Sequence, residues 1–334
     1  MTVIDAHTHV LTEAMIADIA REVPALAPRL TRKDDEHGIL EILDIRQNPF
    51  PRGAWDIERR FADMASQRID MQLLANVPHT FLYEADAGAA KTVAELQNEA
   101  IAALCRRHPG RFLGLATAPM QDAARAAAVL DRAIRVHGLK GLHLGTNIRG
   151  GNLDDPALDA VWEVADRLGL FVLVHPHKVV AAERLKSYYL TNLVGNPLET
   201  TIAAASLVFG GVLERFPNIR FCLSHGGGFV PYQAGRFRHG WRVRNEPKAR
   251  LKGDPADSIA RLLHDSITHA PGPLRFLESE VGAARILFGT DYPFDMGTTT
   301  GVADIEAAIG DAAARAAILS GNARRLLAPA LAAA

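Results

Sequence analysis

The sequence has little of what a stapled, disordered or membrane-spanning chain needs. Only two cysteines, Cys105 and Cys222, stand among 334 residues. That excludes a disulfide framework and points to a reducing, cytoplasmic setting. No uncharged apolar run reaches about 18 residues, which excludes a transmembrane helix. The opening MTVIDAHTHV has neither a basic start nor a long apolar core, so it does not read as a signal peptide. An excess of one charge is missing too: 37 Lys and Arg against 38 Asp and Glu leave a net charge of −1. Bulk attraction to nucleic acid or to an anionic membrane is excluded on that ground. Fixed-period repeats, low-complexity tracts and linkers are also lacking. With 48% hydrophobic residues, a compact chain of this length buries a large core without staples.

Histidine is plentiful, at 13 residues. Many histidines beside few cysteines fit a catalytic metal site better than a structural one. Eight short runs read as strands: 2–6, 71–77, 112–117, 139–144, 170–174, 219–223, 265–268 and 285–288. Most are continuously apolar, as parallel strands covered on both faces are. Helical patterns fill the gaps between them. Asp154 or Asp155 caps one, with Pro156 in its first turn and Gly169 at its stop. Asp122 and Gly138 frame another in the same way. A third starts at Asn196–Pro197 and runs to Pro217, and its Gly210–Gly211 pair suggests close approach at a subunit interface. Eight alternations predict a (β/α)8 TIM barrel, one domain over 1–334. Residues 10–60 are expected as an insertion after the first strand, over the barrel mouth.

Chemistry-bearing residues stand where those strands end, which is where barrel active sites form. In Ile4-Asp5-Ala6-His7-Thr8-His9, residues two apart share a side, so His7 and His9 can grip one metal. In FVLVHPHKV, His175 follows four apolar residues and His177 shares its parity; spacing leaves open which is the ligand. His225 ends the sixth strand in CLSHGGGF and meets three glycines. Without the Lys and Ser/Thr of a phosphate-binding loop, that reads as a general acid/base histidine. Asp291, in ILFGTDYPF, can ligate a metal and handle a proton. His79 and His143 are placed to line the pocket, and His269 to reach its mouth. Arg46, Arg52 and Arg236 are candidate clamps for substrate carboxylates.

HTH near the start, VHPH, LSHGGG and GTDYPF together resemble the amidohydrolase superfamily, in its branch of aminocarboxymuconate semialdehyde decarboxylases. The resemblance runs from the first strand to GNARRLL. It implies His7, His9, His175 and Asp291 as ligands of one Zn²⁺ per chain, with Mn²⁺ or Co²⁺ as substitutes. It implies His225 as the residue that activates the metal-bound water. It also implies a homodimer in which Arg236 reaches the neighbouring subunit's site, with Arg52 near the position of a second substrate arginine. His177-Lys178 stands where the branch has Trp-Asp, which implies a different substrate. No lysine ends the fourth strand, where a carbamate bridge would need one, so one metal is expected rather than two. The function implied is a zinc-dependent non-oxidative decarboxylase of a small unsaturated or aromatic carboxylic acid. The alternative is a metal-dependent hydrolase of a lactone, an amide or a C–C bond.

Overall fold

The computed structural model describes residues 2–327. Eight parallel strands close a barrel: β1 (Ile4–Val10), then, after an antiparallel trio, β5 (Met71–Asn76), β6 (Phe112–Gly114), β7 (Gly141–Gly145), β8 (Phe171–His175), β9 (Arg220–Leu223), β10 (Leu263–Asp265) and β11 (Ile286–Leu287). The trio is β2 (Arg29–Arg32), β3 (His37–Ile42) and β4 (Ile45–Pro51). Barrel neighbours run β1-β5-β6 and β7-β8-β9-β10-β11. Parallel bridges Ala116–Leu142 and Thr8–Tyr292 join the two arcs.

The continuously apolar strands have a physical reason. Ile4, Ala6, Leu73, Ala75, Phe171 and Leu173 fill the barrel. The intervening Leu142, Leu144, Val172 and Val174 pack outward, into the core shared with the helices. Both faces of each strand are therefore dry. The helices are α1 (Glu13–Glu22), α2 (Ile57–Ser66), α3 (Ala87–Arg107), α4 (Ala123–Arg135), α5 (Asp159–Arg167), α6 (Asn196–Phe209), α7 (Val212–Arg215), α8 (Val230–Val243), α9 (Pro255–Ile259), α10 (Pro271–Val281), α11 (Gly301–Ala308), α12 (Ala312–Ala316) and α13 (Asn322–Leu327). Leu326 and Leu327 of α13 join the barrel-filling cluster. Asp122 caps α4 by accepting from the Arg125 amide, and Gly138 and Gly169 take positive φ where their helices stop.

Three expectations shift. The first strand extends to Val10, so His7 and His9 lie inside it rather than after it. The seventh strand is Leu263–Asp265, not 265–268, so Asp265 ends it. The helix begun at Asn196 breaks at Gly210–Gly211, where Gly211 takes φ +69° and α7 restarts. Gly210 admits a close contact within the chain: a Cβ there would meet the Asp154 Cβ at 2.2 Å. Between β1 and β5 the chain forms α1, the antiparallel sheet and α2. Ile45 and Gln47 of β4 reach the cleft at the barrel mouth.

β1 carries one irregularity that matters for the site. Ile4 and Asp5 pair with Met71 and Gln72, whereas Thr8 and His9 pair with Leu74 and Ala75. One extra residue on β1 makes a bulge, which resets the alternation. Ile4 and Ala6 fill the barrel below, and His7 and His9 turn inward above them.

Leu173 is 1% exposed within the barrel filling. Leu173→Ala should lower unfolding free energy by about 2–5 kcal/mol, the cost of a buried cavity. A urea titration followed by circular dichroism measures it.

Candidate metal centre

His7, His9, His175, His225 and Asp291 come from four strand ends and meet at one point. The Asp291 Oδ1 lies 3.3 Å from His7 Nε2, 3.0 Å from His9 Nε2 and 3.8 Å from His175 Nε2. Its Oδ2 lies 3.3 Å from His225 Nε2. His7 Nε2 and His9 Nε2 are 3.1 Å apart. Donor atoms of His7, His175, His225 and Asp291 all fall within 4.8 Å of one another. That mutual group contains His225, while His9 makes the two shortest contacts, to Asp291 and His7.

The far side of each ring separates these histidines. His7 Nδ1 lies 2.7 Å from Asp265 Oδ2, His9 Nδ1 3.1 Å from the Asn76 carbonyl, and His175 Nδ1 3.0 Å from the Pro176 carbonyl. An ionised carboxylate and a carbonyl only accept, so each Nδ1 carries the proton and donates. Each Nε2 then turns a lone pair toward the shared point. His175 Nε2 is buried and has no hydrogen-bond partner. Lone pairs packed this closely, one of them orphaned, fit a bound cation. His225 differs: its Nδ1 has no partner, and its Nε2 faces the carboxylate.

Electrostatics agree with that division at His9 and His175 and run against it at His7. Burial opposes charge on Asp291, but the charge of His7 and the close contacts of His225 and His9 hold its carboxyl well below the usual range. Burial lowers His9, and pushes His175 down to about 3, so both stay neutral and able to ligate. Burial also opposes charge on His7, yet Asp291 and Asp265 raise it above its ordinary value.

Backbone strain accompanies the site. His225 takes φ +55° and Asp291 φ +59°, a region that side chains seldom adopt. Asp265 offsets part of that cost at His225. Its carboxylate accepts from the His225 amide at 2.9 Å and the Gly226 amide at 2.7 Å, as well as from His7. Sequence reasoning missed Asp265 because the strand was expected to start there. A strand ending after the apolar pair Leu262–Leu263 would have placed this carboxylate with the others.

The cleft beside the centre holds about 360 Å³ and is lined by His175, His225 and Asp291. His79, His177 and Lys178 also line it. Burial pushes His79 and His177 down to about 4. His143 does not reach the cleft; its Nδ1 contacts Asn76 Oδ1 at 3.0 Å. His269 lines an adjoining hollow of about 460 Å³.

Arg52 and Arg46 are placed otherwise than expected. Arg52 does not enter the cleft. Asp56, which caps α2, binds its Nε at 2.7 Å, and the Asp35 carbonyl takes its Nη1. Arg52 lines a separate hollow beside Tyr292 and Pro293. Arg46 pairs with Glu41 across the antiparallel sheet at 3.5 Å. Arg236 is exposed on α8 and lies outside its own chain's cleft.

Asp265→Asn keeps the shape but removes the charge that orients His7. Metal affinity should fall roughly 10- to 100-fold, the usual effect of losing such a partner. Competition against a chelator of known affinity measures it.

Residues 4–328 match the amidohydrolase family. A 2-amino-3-carboxymuconate-6-semialdehyde decarboxylase of Dictyostelium discoideum is 38% identical over 244 residues, covering 73% of this chain and 68% of that protein. Its namesake in Caenorhabditis elegans is 30% identical, covering 73% of each. Among solved structures, a dihydroxybenzoic acid decarboxylase from Polaromonas, with bound manganese, superposes with a TM-score of 0.80 at 23% identity, over 98% of this chain and 97% of that one. On the family match and these relatives, the chain belongs to the amidohydrolase family, in the branch that holds the aminocarboxymuconate semialdehyde decarboxylases.

Proposed function

We propose that this chain is a zinc-dependent, non-oxidative decarboxylase of a small unsaturated or aromatic carboxylic acid. The observation that carries the reading is the split among the ring nitrogens. His7, His9 and His175 are each locked by an acceptor at Nδ1, and Asp291 completes a three-nitrogen, one-oxygen set suited to catalytic Zn²⁺. His225 has no such lock and serves proton transfer. Both named relatives are decarboxylases. Manganese in the Polaromonas structure supports Mn²⁺ as a substitute metal.

When bound, the metal supplies Lewis acidity and brings the pKa of a water ligand toward about 7. The residues do the rest. Asp265 holds the His225 backbone, which points the ring at Asp291 Oδ2. The free Nδ1 of His225 allows the ring to accept a proton at one nitrogen and keep its contact through the other. Loss of CO₂ breaks a C–C bond and leaves an electron pair on carbon. His225 or Asp291 returns a proton to that carbon. We read residues 10–60 as a cover over the mouth, since Ile45 and Gln47 line the cleft. We also propose a homodimer. It is supported by α8, where Val230 alone is buried and Arg236 is free to meet a second copy.

The test pairs elemental analysis with CO₂ release over carboxylated muconate semialdehydes and hydroxybenzoates. About one zinc per chain with CO₂ release is expected. Turnover without CO₂ would transfer the centre to hydrolysis, and failure to take up metal would remove the ligand assignment. His225→Ala should keep its metal while turnover falls roughly 100- to 10,000-fold, as for loss of an acid/base group. Equal loss of metal would show that His225 is a ligand instead.

A further inference from the structure

A second charged feature stands at the end of the barrel opposite the metal centre. Arg220 opens β9 and Leu263 opens β10, whereas His225 and Asp265 stand where those strands finish. A hollow of about 600 Å³ lies at the strand starts and shares no lining residue with the cleft. Arg167, Arg220, Arg261 and Arg325 line it, against one acid, Asp166. Four cations to one anion is a local excess in a chain whose net charge is −1.

Most of that positive charge is not neutralised. Arg167 pairs with Asp131 at 2.9 Å. Among the described residues, the other three arginines bond only to neutral oxygens. Arg220 donates to the Leu326 carbonyl of α13. Arg261 donates to the Leu213 carbonyl and, at 2.6 Å, to the Pro217 carbonyl. Arg325 donates to the Ala284 carbonyl at 2.9 Å and to Asn322 Oδ1 at 3.3 Å. Asp166 is already engaged: its Oδ1 accepts from the Asn218 amide at 2.7 Å, and its Oδ2 from Asn218 Nδ2 at 3.2 Å. A carbonyl fixes where a guanidinium sits but leaves its charge uncompensated. Burial and the nearby Arg325 both lower Arg220 from its ordinary value, so like charges are held close here.

The fixed guanidinium groups keep donors to spare. A guanidinium has five N–H donors. Nε and Nη2 of Arg220, Nε of Arg261, and Nε and Nη1 of Arg325 have no partner among the described residues. These donors come from three separate elements: the start of β9, the turn before β10, and α13. A planar carboxylate matches one guanidinium fork. Forks arriving from several directions suit the tetrahedral oxygens of phosphate. One phosphate group carries about −2 charge at neutral pH, short of three uncompensated cations. Two linked phosphates meet that charge.

We infer that the hollow at the closed end of the barrel binds linked phosphates, of which inorganic pyrophosphate is the simplest, through Arg220, Arg261 and Arg325. An anion there bridges β9 and α13, whose Leu326 and Leu327 join the barrel filling. It does so without competing for the catalytic cleft.

Calorimetric titration of the metal-loaded protein at about 0.15 M salt tests this, because exposed charges are screened there beyond about 8 Å. The probes are inorganic pyrophosphate, inorganic phosphate and citrate, whose three carboxylates supply charge without tetrahedral groups. One pyrophosphate per chain is expected, bound at least tenfold more tightly than phosphate or citrate. Arg220→Gln and Arg325→Gln should each weaken pyrophosphate about tenfold, the usual effect of losing a charged hydrogen bond. Arg220→Lys, which keeps the charge, should lose less than Arg220→Gln. Asp166→Asn removes the one negative charge and should tighten binding about threefold. Chelation of the metal by pyrophosphate would be the same in every variant, so unchanged affinity in both glutamine variants would overturn the proposal. Citrate or phosphate binding as tightly as pyrophosphate would overturn it too. If the arginine variants fail to fold, Asp166→Asn decides alone, and no gain in affinity there would sink the site. No CO₂ is measured, so the outcome does not depend on the decarboxylase reading.

Discussion

The constraint on which the structure depends is the crowding of imidazole lone pairs against one carboxylate. Asp291 Oδ1 faces three Nε2 atoms at 3.0 to 3.8 Å, and two of those atoms are 3.1 Å apart. Left alone, such an arrangement is repulsive and poorly hydrogen-bonded. It persists because each ring is held from behind, by Asp265, by Asn76 and by the Pro176 carbonyl. A cation held at the shared point would turn the repulsion into binding. The ligand side of the site is therefore designed as much by the three outer acceptors as by the inner nitrogens.

The scaffold supplies that holding at several levels. The bulge in β1 turns His7 and His9 into the barrel above its apolar filling. Arg60, fully buried on α2, donates to the His9 and Gly53 carbonyls and to Gln72 Oε1. Its guanidinium also lies 4.7 Å from the Tyr292 ring centroid. Tyr292 follows Asp291 in the chain, so one buried cation ties together the two strand ends that carry most of the centre. Gly53 leaves the space that the Tyr292 hydroxyl occupies, since a Cβ there would lie 1.7 Å from it. Strain at His225 and Asp291 is tolerated because these neighbours over-determine their positions.

Part of this was legible in advance, for identifiable reasons. Parallel strands covered on both faces leave continuous apolar runs, so eight strands could be counted. His or Asp at or just after such a run marked the candidate residues, while the choice of His175 over His177 came from the family resemblance and not from spacing. Asp265 escaped because a three-residue strand has too short a pattern to fix its end. Arg52 and Arg46 could not be placed because a surface arginine pairs with whichever carboxylate the fold brings near. For Arg52 that was Asp56, one helical turn on, and for Arg46 it was Glu41 across a hairpin.

By itself, then, the sequence determined the barrel, the strand ends that carry chemistry and the residue types offered to a metal. Those follow from local periodicity and from short motifs, which the chain carries wherever it folds. Only the tertiary structure decided which histidines have an acceptor at Nδ1, which one has no partner there, and which polar atoms line the cleft unpaired. Those properties depend on partners far apart in the chain, such as His7 with Asp265 or Asp291 with His9. Contacts between groups hundreds of residues apart exist only once the barrel has closed.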